Sequence, residues 1–130
     1  MTSTKKLILC VEDDPDTCEM MKLMLAPIGC EVETAGTVKE TLIKVGEREF
    51  DLFILDTTLA DGNGLELCRE LRRSRPGTPI IIFSGRSSSE EKERGLAAGA
   101  SAYLVKPGGI GELPSTAASL LSASEYDGGA

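Results

Sequence analysis

Four short apolar runs, each closed or followed by a polar residue, constrain the fold more than any other feature of this chain. They are residues 6–11 (KLILCV), 51–56 (DLFILD), 79–84 (PIIIFS) and 102–106 (AYLVK). Near-continuous hydrophobicity over so few residues is the pattern of strands covered on both faces, as in a parallel sheet between two layers of helix. A fifth run, residues 30–35 (CEVETA), alternates apolar with polar residues and reads as a less buried edge strand.

Helical spacing fills the gaps. Cys18, Met21, Leu25 and Ile28 recur after Asp14-Pro15, a good helix start, and Gly29 stops them. Val38, Leu42 and Val45 repeat the pattern behind Thr37, with Gly46 as the expected end. Leu65, Cys68 and Leu71 form a third stripe, closed by Pro76-Gly77. Residues 89–98 make a weaker helix with a small Ala/Gly face. The last stripe is Ile110, Leu113, Ala117, Leu120 and Leu121. Gly108-Gly109 loosen its start, and Pro114 fits only in its first turn. Five alternations of strand and helix with short connections predict a doubly wound α/β domain with a parallel sheet. Right-handed crossovers place helices on both faces, and ligands bind beyond the carboxyl ends of the strands. The expected division is one domain over residues 1–123 and a loose tail over 124–130.

Composition narrows the function classes. A chain of 130 residues, 41% hydrophobic and 27% charged, can bury one continuous core. Its formal net charge of −7 argues against direct binding to nucleic acid, whose phosphates attract basic surfaces. The first apolar run is far too short for a signal peptide or a membrane span, so the expected compartment is the cytoplasm. The chain has no histidine, which excludes a histidine base, a histidine nucleophile and histidine-ligated zinc together. Cys10, Cys18, Cys30 and Cys68 show no CxxC pair and read as reduced core thiols.

The polar residues at the strand ends carry the chemistry. Glu12, Asp13 and Asp14 follow the first strand, Asp56 ends the third, Ser84 the fourth and Lys106 the fifth. Each has a bland reading alone: a helix cap, a turn residue, a solvated lysine. In a parallel sheet, however, all of them converge on one edge. Two unit charges about 4 Å apart repel by roughly 4 kcal/mol at an effective dielectric near 20. A cluster of three carboxylates must therefore protonate or hold a cation. Hard oxygen donors with no thiolate or imidazole nearby favour Mg²⁺. Lys106 and the Ser84 hydroxyl can each meet a phosphoryl oxygen, and an aspartyl carboxylate is an established nucleophile for phosphoryl transfer.

In this order and spacing the residues resemble the receiver domains of two-component response regulators, over nearly the whole chain, about residues 5–121. The matching blocks are LILCVEDDP (7–15), FDLFILDTTLADGNGLEL (50–67), PIIIFSGR (79–86) and GASAYLVKP (99–107). The resemblance implies a flavodoxin-like five-stranded sheet of order 2-1-3-4-5 with five helices. It implies that Asp56 is the phosphorylated nucleophile. Mg²⁺ is then held by Asp13 directly, by Glu12 through water, by Asp56, and by Thr58 through its backbone carbonyl; Asp14 lies outside this set. Ser84 and Lys106 take the phosphoryl oxygens, Ser84 and Tyr103 report phosphorylation as switch residues, and the Lys106–Pro107 peptide is cis. Two departures stand out. Leu59-Ala60 replaces the usual Met-Pro, removing a rigid turn, and Gly108-Gly109 replaces the expected aromatic at the start of the fifth helix. Thr58 and Arg86 lie where the family tunes the access of attacking water.

The function implied is that of a stand-alone receiver, phosphorylated from a sensor histidine kinase or a histidine phosphotransfer protein. Its output passes to another protein through the face of the fourth helix, fifth strand and fifth helix, without nucleic acid or membrane. It is not an enzyme beyond catalysing its own phosphorylation and dephosphorylation. One alternative is a degenerate receiver that only docks. Another is an aspartyl-phosphate hydrolase of the haloacid-dehalogenase type, but that chemistry expects a second aspartate where Thr58 stands. A nucleotide switch lacks its GxxxxGK[ST] loop.

Overall fold

The computed structural model describes residues 5–129, with side chains described as far as residue 123. Strand β1 (Leu7–Val11) leads to helix α1 (Pro15–Leu25), then β2 (Glu31–Ala35), α2 (Val38–Glu47) and β3 (Leu52–Leu55). A small pair of strands, β4 (Thr58–Leu59) and β5 (Gly62–Asn63), precedes α3 (Gly64–Ser74). Then come β6 (Ile80–Ser84), α4 (Ser89–Ala97), β7 (Ala102–Val105) and α5 (Leu113–Gly129). The main sheet is parallel throughout, in the order β2-β1-β3-β6-β7. With the β4–β5 hairpin left out, this is the expected order 2-1-3-4-5. The tail expected over residues 124–130 falls where side chains are not described.

The apolar runs are continuous because each strand feeds two cores. Successive side chains of a strand point to opposite faces. In β1, Leu7, Leu9 and Val11 join Phe53, Leu55, Ile80 and Ile82 in one cluster, closed by Val45, Leu67, Leu71 and Ala98 from the side of α2, α3 and α4. Ile8 and Cys10 join Leu52, Ile54, Ile81 and Phe83 in the other, closed by Met21 and Leu25 of α1 and by Leu113, Ala117 and Leu121 of α5. Burying a large aliphatic side chain completely contributes roughly 1.5–3 kcal/mol, so neither helical layer is dispensable.

Helix starts follow the sequence closely. Asp14, Thr37, Asn63 and Ser88 each accept a backbone N–H of the first turn of α1, α2, α3 and α4. Pro114 lies in the first turn of α5, as expected, while Gly108–Glu112 form a 3-10 turn that takes Ile110 out of the helix. The Lys106–Pro107 peptide is cis.

Three expectations need correction. Gly46 does not end α2, which continues to Glu47. The inner stripe of that helix is Thr41 and Val45, and Leu42 is 38% exposed. The Thr41 hydroxyl satisfies itself on the Thr37 carbonyl at 2.8 Å, so a polar residue can take the buried position at little cost. Cys10 and Cys68 are buried thiols, but Cys18 and Cys30 are only half-buried. The Leu59-Ala60 segment, where Met-Pro is usual, still turns back on itself. Leu59 is buried in the core, and the antiparallel pairs Thr58–Asn63 and Leu59–Gly62 close the turn.

Candidate functional site

The sheet ladder extends one residue past three strands, and this holds the polar groups in place. Glu12 N–H donates to the Ala35 carbonyl at 2.9 Å, Asp56 N–H to the Val11 carbonyl at 3.0 Å and Lys106 N–H to the Ser84 carbonyl at 2.9 Å. Each of these residues thus begins a loop while its backbone is still bonded to the neighbouring strand. Because Val11 pairs with Leu55, Leu55 with Ile82 and Ser84 with Val105, the strand ends lie side by side.

Lys106 joins the two inner carboxylates. Its Nζ donates to Glu12 Oε1 and, at 3.1 Å, to Asp56 Oδ2. Glu12 is 3% exposed and Asp56 9% exposed, whereas Asp13 faces solvent. Glu12 Oε2 also accepts the Asp14 N–H at 3.1 Å. Burial raises the Glu12 carboxyl above the ordinary glutamate value, with Lys106 and the Asp14 N–H pulling the other way. Burial lowers the Lys106 ammonium, but its bonds to Glu12 and Asp56 outweigh that and leave it above the ordinary lysine value. Across one ion pair, then, the charged form is favoured at the lysine and disfavoured at the glutamate. The deeper group bears the larger desolvation cost, and the lysine, partly open to water, keeps its charge.

A second polar layer lies beside the first. Thr57 Oγ1 and Ser84 Oγ share a buried hydrogen bond of 2.6 Å, and Ser84 Oγ also accepts the Arg86 N–H at 3.2 Å. The Tyr103 hydroxyl donates to the Arg86 carbonyl at 2.7 Å. Burial raises the Tyr103 phenol above its ordinary value, partly offset by the Ser84 hydroxyl. Thr58 N–H reaches Asp56 Oδ1 at 3.3 Å.

Residues 8–118 match the family of response regulator receiver domains. The chain is a receiver domain of that family. It is similar to the KDP operon transcriptional regulatory protein KdpE of Escherichia coli (strain K12), with 41% identity over 106 residues, covering 82% of this chain and 47% of that protein. The response regulator ArlR of Staphylococcus aureus (strain MW2) is 40% identical over 106 residues, covering 82% of this chain and 48% of that protein. The chain therefore spans about half the length of these curated relatives. Among solved structures, a CheY-like response regulator receiver domain protein from Methanospirillum hungatei JF-1 is similar with a TM-score of 0.88 and 35% identity, over 95% of this chain and 99% of that one. Phosphorylation of an aspartate by a kinase is the general function of the family. Among the described residues of this receiver, no helix is long and apolar enough to cross a membrane.

The receiver's carboxylates fit a small hard cation. Glu12, Asp13 and Asp56 each offer an oxygen within 4.8 Å of the others, with no sulfur or imidazole donor in the cluster. Asp14 stands apart from them: its carboxylate accepts Thr17 N–H at 3.1 Å and the Thr17 hydroxyl at 2.6 Å, as the cap of α1. Three features escape sequence reasoning. Thr57 does so because a polar β-branched residue after a strand looks like ordinary turn chemistry. Asp61 looks like a turn residue of the DGNG segment. Gly64 lies in the same segment, and its glycine-rich turn is the signal that could have found it, because a Cβ there would stand 1.9 Å from the Asp56 carbonyl oxygen. Only glycine lets α3 begin this close to the Asp56 loop, where Gly64 N–H donates to the Thr57 carbonyl at 3.0 Å.

Proposed function

We propose that this receiver takes its phosphoryl group on the Asp56 carboxylate, from a phosphohistidine of a sensor kinase or histidine phosphotransfer protein. An Asp56 oxygen attacks phosphorus, the P–N bond breaks, and the imidazole nitrogen of the donor keeps the electron pair. The observation that carries this reading is the Lys106 ammonium on Asp56 Oδ2 at 3.1 Å, inside a three-carboxylate cluster. Lys106 orients the carboxylate beforehand and takes a phosphoryl oxygen afterwards, and the Ser84 hydroxyl takes another. Glu12, Asp13, Asp56 and the Thr58 carbonyl are the residues to hold Mg²⁺, which when bound neutralises charge on the transferring group. The same groups serve dephosphorylation, so the domain acts catalytically only on itself.

Output is proposed to pass from Ser84 and Tyr103 to the face of α4, β7 and α5, where a partner protein reads it in the cytoplasm. The proposed unit is residues 1–123, with residues 124–130 as a tail. Acetyl phosphate and Mg²⁺ should label Asp56 as a hydroxylamine-sensitive acylphosphate. Asp56→Asn removes the nucleophile at nearly constant volume and should stay folded but unlabelled. Labelling of that variant at the wild-type rate would assign the acceptor elsewhere.

A further inference from the structure

Ser84 is 1% exposed and Thr57 7% exposed, and their hydroxyls bond to each other at 2.6 Å. The two residues lie on different strand ends, 27 positions apart. Ser84 Oγ has a second partner, the Arg86 N–H at 3.2 Å, so its position is held from two directions. A serine hydroxyl has one proton to donate. A Ser84 hydroxyl drawn towards a phosphoryl group on Asp56, as the proposed function has it, competes with this bond. A buried hydroxyl stripped of its partner is destabilised.

We infer that Thr57 is a positioning residue, a latch whose hydroxyl holds the Ser84 hydroxyl against its being drawn to a phosphoryl group on Asp56. The inference rests on the proposed phosphorylation of Asp56 and adds a residue that sets how far the switch leans before any phosphoryl group arrives. In the latched arrangement both hydroxyls are satisfied. In the phosphorylated arrangement Ser84 gains a phosphoryl oxygen and Thr57 loses its partner. The Thr57–Ser84 bond therefore opposes switching by its own net free energy. Removing the Thr57 hydroxyl cancels that opposition: Ser84 has no such bond to give up, and no Thr57 hydroxyl is left stranded after the switch.

Five variants test the latch. Each is first shown to be folded by its amide spectrum, then titrated with beryllofluoride in Mg²⁺, a mimic of the aspartyl phosphate. Thr57→Val should bind beryllofluoride about fivefold more tightly than wild type, the factor for a net hydrogen bond of ordinary strength. Thr57→Ala, which also lacks the hydroxyl, should move in the same direction, and Thr57→Ser should behave as wild type. In a Ser84→Ala background Thr57→Val should have no effect, since the partner of the latch is gone. In the unliganded protein, scalar couplings should report a single Ser84 χ1 rotamer in wild type and an averaged one in Thr57→Val. Unchanged affinity in both hydroxyl-free variants, or a gain that persists without Ser84, would overturn the latch alone. Failure of wild type to bind beryllofluoride or to label Asp56 would overturn the phosphorylation reading and the latch with it.

Discussion

The carboxylate of Asp61 accepts the backbone N–H of Val38 at 2.7 Å, capping helix α2 from the turn of the hairpin that follows Asp56. The neighbouring Lys39 N–H donates to the other oxygen of the same carboxylate at 3.1 Å. Thr37 serves the Glu40 N–H at 3.0 Å, so three orphan donors of this helix start are satisfied by two side chains, one of them from another loop. The loop carrying Thr58 is thereby tied to α2.

The cap has a pH signature. The Val38 and Lys39 N–H groups hold the Asp61 carboxyl below its ordinary value. A folded-state value below the unfolded one stabilises the protein above the ordinary aspartate range and ceases to do so as pH falls through the folded value. Asp61→Ala should lower the urea midpoint at neutral pH. The gap to wild type should close below the ordinary aspartate range, near pH 3.9. Urea melts at several pH values measure this, and a gap independent of pH would exclude the charged cap.

Gly95 is a glycine within α4 because the Tyr103 ring lies beneath it. A Cβ there would stand 2.7 Å from Tyr103 Cδ2 and 2.9 Å from Ile82 Cδ1. Alanine is favoured over glycine by about 1 kcal/mol in a helix, but overpacking costs about 1–3 kcal/mol, so the clash should win. Gly95→Ala should lower stability, and in a Tyr103→Ala background the same change should lower it less or raise it. Denaturant melts of the four-protein cycle decide.

Magnesium should stabilise the receiver through Asp13. At a hundred times its dissociation constant a ligand that binds only the folded state adds about 2.7 kcal/mol. Chelation should reverse the gain. Asp13→Ala, which alters an exposed side chain, should remove most of it while leaving metal-free stability at or above wild type, because one carboxylate of the mutually repelling cluster is gone. Thermal melts with Mg²⁺ and with a chelator give both arms.

The cysteines should label in the order of their exposure. Burial pushes the Cys68 thiol up to about 11, against a smaller pull from Arg72 and Arg69, and pushes Cys10 higher still. Cys18 and Cys30 are also raised by burial but are only half-buried. Iodoacetamide near neutral pH should modify Cys18 and Cys30 first, with Cys10 and Cys68 reacting only on unfolding; peptide mass spectrometry reads the order. A thiol raised on folding favours the native state below its unfolded value, about 8.5, and that contribution is lost as pH climbs towards the folded value. Cys68→Ala should accordingly lose less stability than wild type between those two values.

The sequence alone determined the five strands of the main sheet, the five helices, their layer arrangement and the edge at which Glu12, Asp13, Asp56, Ser84 and Lys106 gather. Apolar runs of strand length report burial on both faces, and parallel strands must align their carboxyl ends. The resemblance of its first block to the family also set Asp14 outside the acidic pair. What the sequence left open were relations between residues distant in the chain. Helical spacing chose Leu42 for the core where the folded helix presents Thr41, because a hydroxyl that bonds its own turn can be buried as readily as an aliphatic group. Thr57 meets Ser84 across 27 positions and Asp61 meets Val38 across 23. Lys106 reaches Glu12 across 94 and Asp56 across 50. Periodicity states which face of an element is buried. It does not state which side chain of the neighbouring element stands opposite, and that register is decided only when sheet and helices pack.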